Sequence, residues 1–352
     1  MKVGIVTPFF FPHIGGMEKS LFNLAKGLTK NGHEVIVYTT KFSTQELYDR
    51  LEFRVTTSKN KDLITWSEGI NGFIQDYNDF SVLIYGGIGK DVLRGIHSSL
   101  KKSSKLGISS ILRVPTSDHL QRHLRRVDKR KILELFDHFV CIDQIAVSYL
   151  KNDLSLDSVT YIKNGVDTNV YKPTKSFDQR KNTFLYIGRI SSRKRIEKVI
   201  EIANRLPKSY RFIVQGSKSF GELKYYQEMV AILKNMDNIQ LVNEGWDNYK
   251  LYQEAGYFVL PSTSEGCPNV ILEAMATEVY CFTSNIPENK KLIGNDGTAI
   301  NFDLDDYFFS IEEVLSTPNR NANNVKSGRK RVLNTLSFSH TLSSWERLLD
   351  SF

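Results

Sequence analysis

Short runs of β-branched and aromatic residues alternate along this chain with longer segments whose apolar positions recur every three or four residues. In the first half the runs predict strands at Val3–Val6, Glu34–Thr39, Val82–Tyr85, Ser110–Val114, Phe139–Ile142 and Val159–Ile162. In the second half they predict strands at Thr183–Ile187, Arg211–Val214, Ile239–Val242, Tyr257–Leu260, Val279–Thr283 and Thr298–Asn301. Several runs are apolar throughout, as expected of strands covered on both faces. Met17, Leu21, Leu24, Ala25 and Leu28 form one apolar stripe of a helix, which Asn31-Gly32 ends with a left-handed cap. Strands that alternate with helices build parallel sheets from βαβ units, so the fold class is α/β.

The pattern restarts once. The polar, proline-containing stretch Lys172–Asn182 separates the two sets of strands and reads as a linker, giving two doubly wound domains of similar size joined near residues 170–182. A final helix over about Ser339–Ser351, with Trp345, Leu348 and Leu349 on one side, has no strand after it. The polar Asn319–Asn324 stretch reads as a loop.

The length of 352 residues agrees with two domains, since single cores stop growing at roughly 250–300 residues. With 41% hydrophobic and 24% charged residues, the composition excludes a disordered, collagen-like or multi-span membrane chain. Cys141, Cys267 and Cys281 are odd in number and far apart, which argues against a disulfide scaffold or a structural zinc site. The amino terminus lacks the pattern of a secretory signal, because its short apolar run is broken by Pro8 and Pro12. A cytoplasmic protein is expected, one that meets any membrane from the side. The net charge of +8 suggests an anionic partner: phosphate, a lipid surface or nucleic acid.

Open parallel sheets bind ligands at the carboxyl ends of their strands, so the chemistry is sought in the loops there, lining a cleft between two facing domains. The first such loop ends in Gly15-Gly16 directly before a helix. That is a place for a phosphate at backbone N–H groups, or a plain tight turn. It is not GxGxxG, so a dinucleotide site fails its first requirement. The second domain opens with Gly188-Arg189, an Arg directly after a strand, and Lys194 five residues on. Two fixed cations at a sheet edge suit a diphosphate, although a solvated basic loop would look the same. The sharpest feature is Pro261-Ser-Thr-Ser-Glu265-Gly266-Cys267-Pro268-Asn269-Val270-Ile-Leu-Glu273. Here Pro268 is read as the first residue of a helix, and the N–H groups of Asn269 and Val270 start it. Glu265 and Glu273 flank that anion-binding end, able to accept hydrogen bonds from sugar and ribose hydroxyls.

The Glu265-to-Glu273 spacing in Ser-Glu-Gly-Cys-Pro-Asn-Val-Ile-Leu-Glu-Ala-Met-Ala resembles the E-x7-E motif of retaining glycosyltransferases of family GT4. In the family's order stand Gly15-Gly16, Asn164-Gly165-Val166-Asp167, Gly188-Arg189 with Lys194, and Val214-Gln215-Gly216. The resemblance covers nearly the whole chain. It implies the GT-B fold: an acceptor-binding Rossmann-like domain over 1–170, a donor-binding one over 171–338, and a last helix, 339–352, crossing back onto the first. It further implies that Arg189 and Lys194 neutralise the diphosphate of a nucleotide sugar, that Glu273 binds the ribose and that Glu265 holds hydroxyls of the transferred sugar. Gly15 and Gly16 would then lie over the phosphates, and the Asn164–Asp167 corner would be mainly structural. His119, with Asp118 second, is the candidate near the sugar C6 hydroxyl.

The chain departs from the family in two turns. Arg195 follows Lys194 where the family has Gly, and Thr277-Glu278-Val279-Tyr280 replaces a Gly-containing turn after Glu-Ala-Met-Ala. Cys267 stands near the expected sugar site, but no base is evident beside it to make it a nucleophile. Asp303-Leu304-Asp305 resembles a cation-binding DxD and is read instead as helix-start capping, so no metal cofactor is expected.

The activity expected is transfer of a hexose or N-acetylhexosamine from a nucleotide diphosphate sugar, by default UDP, to a glycan or lipid-linked hydroxyl. A nucleotide-sugar epimerase and a non-catalytic binding protein are the alternatives. Arg113, Arg122, Arg125, Arg126, Lys129, Arg130 and Lys131 stand against Asp118 and Asp128. This run is either a solvated face or a surface for an anionic acceptor or membrane. No nucleic-acid-binding signature accompanies it, so nucleic acid is not an expected partner.

Overall fold

The computed structural model describes residues 1–86, 93–114, 116, 131–218 and 221–352, without the side chains of 93 and 94. It divides into two compact units, Met1–Lys163 together with Thr341–Phe352, and Asn164–His340.

In the N-terminal unit the strands are β1 (Lys2–Val6), β2 (Glu34–Thr39), β3 (Arg54–Thr57), β4 (Val82–Tyr85), β5 (Ser109–Val114), β6 (His138–Cys141) and β7 (Val159–Tyr161). They form one parallel sheet in the order β3-β2-β1-β4-β5-β6-β7. Alternate residues of a strand point to opposite faces, and both faces here are apolar. Val35 and Val37 join Leu21, Leu24 and Leu28 of the helix Gly16–Lys30, whereas Ile36 and Tyr38 join Trp66, Ile70 and Phe73 of the helix Leu63–Asp76. Burial on both sides is why these strands read as continuous apolar runs.

The last helix, Phe338–Leu349, packs Trp345, Leu348 and Leu349 into the core of this same unit. Glu346 fixes it there, accepting from Asn31 Nδ2 at 2.8 Å and bonding His33 Nε2 at 2.7 Å. The orphan helix of the sequence therefore completes the first unit.

The C-terminal unit contains β8 (Thr183–Ile190), β9 (Arg211–Lys218), β10 (Ile239–Val242), β11 (Tyr257–Leu260), β12 (Tyr280–Ser284) and β13 (Thr298–Ile300), parallel in the order β10-β9-β8-β11-β12-β13. The first strand of each unit thus has the second strand on one side and the fourth on the other. This is doubly wound topology, which opens a crevice where the winding reverses: between β1 and β4 in one unit and between β8 and β11 in the other.

Several expectations are corrected. The stretch Lys172–Asn182 is not a linker, because the chain divides between Lys163 and Asn164 and this stretch is packed into the second unit. Its anchors are buried Phe177 and Arg180. Arg180 donates to the carbonyls of Tyr252 at 3.2 Å, Ala255 at 2.8 Å and Glu278 at 2.8 Å. Asn319–Asn324 is not a loop but lies inside the helix Pro318–Arg331, where buried Asn321 donates from Nδ2 to the Val314 carbonyl at 2.7 Å. Asp303 and Asp305 do not cap a helix start, since the next helix opens only at Tyr307. Asp303 instead pairs with Arg195 at 2.6 Å.

The two turns that depart from the family are built with left-handed residues. The helix Gly16–Lys30 ends with Gly32 at φ 89°, its N–H on the Thr29 carbonyl and that of His33 on the Leu28 carbonyl. The helix Asn269–Ala276 ends in the same motif, Glu278 N–H on Met275 and Val279 N–H on Ala274, with Glu278 at φ 57°. A side chain in this region costs about 1–2 kcal/mol, and glycine gives back part of that through its own larger loss of backbone freedom. Glu278→Gly is therefore expected to stabilise the unit by about 0.5–1 kcal/mol, visible as a higher Tm. A lower Tm would mean that the Glu278 side chain holds the turn. Arg195 is left-handed as well, at φ 52°, and is held by Asp303 with its guanidinium 5.9 Å from the Phe302 ring.

Candidate active site

The reversal between β8 and β11 gathers most of the residues singled out in the sequence. Phe184 and Leu185 of β8 pair with Tyr257 and Phe258 of β11, so the segments leaving these two strands are neighbours. β8 and β9 run on beyond this pairing, with Gly188 opposite Gly216 and Arg189 opposite Ser217. Arg189 is therefore inside a strand rather than directly after one, and its side chain is exposed. Tyr186, fully buried, donates from Oη to the Arg189 carbonyl at 3.0 Å. Burial and nearby acidic groups raise its phenol well above the usual range, so it remains a donor. A Cβ on Gly188 would stand 3.2 Å from that hydroxyl, a tight contact that would have to be relieved by a shift of the phenol.

Past Ile190 the chain makes one tight turn, Ser192–Lys194, with Lys194 N–H on the Ser191 carbonyl at 2.9 Å. Bonds to Thr263 and Glu222 hold this turn in place. Thr263 N–H donates to the Arg193 carbonyl at 2.9 Å, and Ser192 N–H donates to Glu222 Oε2 at 2.7 Å. Across the crevice Lys194 Nζ makes an ion pair with Glu265 Oε1, their side chains 13% and 9% exposed. The lysine from the β8 side and the glutamate from the β11 side thus meet at the point where the sheet reverses.

Beyond Glu265, buried Gly266 and Cys267 lead to Pro268. Pro268 is the residue preceding the helix rather than its first residue, and the helix begins at Asn269. Its φ of −70° and ψ of 113° are extended, and its ring removes a donor that a cap does not need. The N–H groups of Asn269 and Val270 fall in the first turn, where intrahelical carbonyls are lacking and the helix dipole is positive. Asn164 Nδ2 donates to the Cys267 carbonyl at 2.9 Å, so the Asn164–Asp167 corner supports the acidic loop directly.

Glu273 lies within that helix, only 3% exposed, and accepts from Tyr252 Oη at 2.8 Å. Burial and the Glu273 anion raise the phenols of Tyr252 and Tyr171, which keeps both protonated. Neither tyrosine could be found from the sequence, because each belongs to a stretch without a motif. Glu222 was equally silent, an acidic residue beside a loop.

Other expected residues stand in the N-terminal unit. Gly15 precedes the first helix, and a Cβ on it would meet the Glu18 carboxylate at 2.0 Å, so the glycine makes room for a buried acid. Gly16 opens the helix. Arg113 corrects the reading of a basic surface: it lies in β5, is 3% exposed, and donates from Nη2 to Ser20 Oγ at 2.9 Å. A strand buried on both faces leaves this side chain no route to a surface. Lys131 is exposed. Asp118, His119, Arg122, Arg125, Arg126, Lys129 and Arg130 lie outside the described residues. Among the described residues no cluster of three or more His, Cys, Asp or Glu is placed to hold a metal ion. No helix among them is long and apolar enough to cross a membrane.

Two family models together match residues 14–331 of the chain: Glycosyltransferase Family 4 over residues 14–170 and Glycosyl transferases group 1 over residues 167–331. The chain belongs to the family-4 glycosyltransferases. This glycosyltransferase is 24% identical over 339 residues to an uncharacterized glycosyltransferase of Methanocaldococcus jannaschii, an alignment covering 85% of the chain and 84% of that protein. It is 28% identical over 218 residues to the Escherichia coli UDP-Gal:alpha-D-GlcNAc-diphosphoundecaprenol alpha-1,3-galactosyltransferase. That second alignment covers 56% of the chain and spans about half, 54%, of the relative. Anabaena HepE, solved in complex with UDP and glucose, superposes with a TM-score of 0.82 over all of both chains at 15% identity, a likeness of fold. The fold of the glycosyltransferase is GT-B, with two parallel-sheet α/β domains.

Proposed function

We propose that the chain transfers a hexose or N-acetylhexosamine from a UDP-sugar to a hydroxyl of a lipid-linked or glycan acceptor, with retention of anomeric configuration and without a metal ion. The observation that carries this reading is the Lys194–Glu265 ion pair at the reversal between β8 and β11, with Arg189 presented from the same strand. The name of the E. coli relative, with its UDP-sugar donor and diphosphoundecaprenol acceptor, supports the choice of nucleotide and of acceptor class.

In this reading the barrier lies in breaking the bond between the anomeric carbon and the diphosphate while positive charge grows on the sugar ring. Fixed cations stabilise the leaving charge in the transition state more than in the ground state, which is what accelerates the step. Arg189 takes two phosphate oxygens with its planar fork, and Lys194 supplies a point charge. The N–H groups opening the helix Asn269–Ala276 add a third positive element. Glu265 accepts hydrogen bonds from hydroxyls of the transferred sugar and holds Lys194 in position, while Glu273 meets the ribose. The acceptor hydroxyl attacks from the face that the diphosphate leaves. Its oxygen bonds the anomeric carbon as the C–O bond to phosphate breaks, and the departing phosphate oxygen takes its proton.

Two measurements test the finer parts. Turnover of UDP-, GDP- and ADP-sugars is expected to favour the UDP donor and to persist in excess chelator. Complete loss that only added metal restores would overturn the metal-free mechanism. Proton NMR of the first product formed is expected to show the donor's anomeric configuration. An inverted product would exclude front-face attack.

A further inference from the structure

Glu273 is an unusual carboxylate for a residue that meets ligand, because it is 3% exposed and sits among aromatic side chains. A buried carboxylate is costly unless hydrogen bonds satisfy it. Tyr252 supplies one, its Oη 2.8 Å from Glu273 Oε2. The phenol has no freedom to search for a partner. Tyr252 is fully buried, its ring meets Tyr171 edge-on at 5.7 Å and 76°, and its carbonyl is held by Arg180 Nη1 at 3.2 Å. Tyr171 is anchored in turn, donating from Oη to Asn248 Oδ1 at 2.7 Å. The chain therefore supports Glu273 from a segment, Tyr249–Glu254, that carries none of the motif residues.

We propose that Tyr252 is a positioning residue for the nucleotide, fixing the plane of the Glu273 carboxylate so that its orientation towards the ribose is set before the donor arrives. The inference rests on the reading of Glu273 as the ribose-binding residue. A hydroxyl-to-carboxylate bond is charge-assisted and stronger than a neutral one. Without it the carboxylate loses one of the fixed groups that orient it, and the incoming ligand has to supply that part of the orientation, which weakens binding of the nucleotide part.

The test is Tyr252→Phe, which keeps the ring and removes only the hydroxyl, compared with Glu273→Gln. Tyr252→Phe is expected to raise KM for the nucleotide sugar about tenfold, to raise the Kd of the free nucleoside diphosphate equally, and to leave KM for the acceptor and kcat within about twofold. A purely structural role would lower the amount of active enzyme, reducing apparent kcat while leaving both KM values unchanged. That result would overturn the proposal. Glu273→Gln distinguishes the reason. If it raises the donor KM while Tyr252→Phe does not, Glu273 meets the ribose without help from Tyr252. If neither variant changes the donor KM, the ribose assignment itself falls and the positioning role with it.

Discussion

Lys194→Ala lowers kcat by about 10²–10³-fold, the loss expected when one preorganised group facing a leaving oxyanion is removed. Two effects contribute. In the proposed reading the cation that meets the diphosphate is gone, and Glu265, 9% exposed, loses its ion-pair partner beside the place where negative charge would develop. Lys194→Ala/Glu265→Gln removes the second effect and is expected to recover part of the lost turnover, although it cannot restore the first. Steady-state kinetics on Lys194→Ala, Glu265→Gln, the double variant and the parent chain, each checked by thermal melting, measure this. A double variant as slow as the product of both single losses would show that the two side chains act independently and that their ion pair has no part in the reaction.

The largest effect on stability is expected at Arg180. Its guanidinium is buried and donates to main-chain carbonyls. Burial pushes its pKa down to about 10, with Glu278 and Glu254 opposing the shift, and the group remains a cation at neutral pH. Arg180→Met keeps much of the apolar stem but leaves the carbonyls of Tyr252, Ala255 and Glu278 without their donor. Each buried acceptor left unmade costs about 1–3 kcal/mol, so a total of about 3–5 kcal/mol is expected once neighbours relax. That corresponds to a fall in Tm of roughly 10 °C or more for a unit of this size. A variant melting within about 2 °C of the parent, a loss of about 1 kcal/mol or less, would show that water replaces the guanidinium.

Much of this fold was legible because burial on both sheet faces writes itself into the sequence as apolar runs. All twelve expected strands are present, most within a residue or two at each end. β3 was missed because an edge strand of Arg54-Val55-Thr56-Thr57 buries only Val55 and shows no alternation. The extension of β8 and β9 to Ile190 and Lys218 was missed because Gly188 and Gly216 look like strand ends. Facing each other across the ladder, they continue it instead. Arg113 was misread because a charge inside a basic run looks solvated, and only the three-dimensional neighbourhood reveals the Ser20 hydroxyl beneath it.

The site divides in the same way. Loop motifs singled out Arg189, Lys194, Glu265 and Glu273, the residues that the proposed reading assigns to the donor. The groups that hold them did not stand out. Tyr186 under Arg189, Tyr252 beside Glu273, and Glu222 on the Ser192 N–H act through contacts that no local spacing encodes. The left-handed Glu278 shows the opposite limit: a turn that sequence rules assign to glycine is built without it, with Arg180 Nη2 holding its carbonyl.

The central claim is that Arg189 and Lys194 form a diphosphate site in the C-terminal unit. It is tested most directly by calorimetric titration of UDP and of uridine into the parent chain and into Arg189→Ala/Lys194→Ala. The account predicts that the parent binds UDP at least about 100-fold more tightly than uridine, a difference of about 2.7 kcal/mol, and that the double variant loses most of that gap while its weak affinity for uridine is unchanged. An equal preference for UDP in both proteins would contradict it.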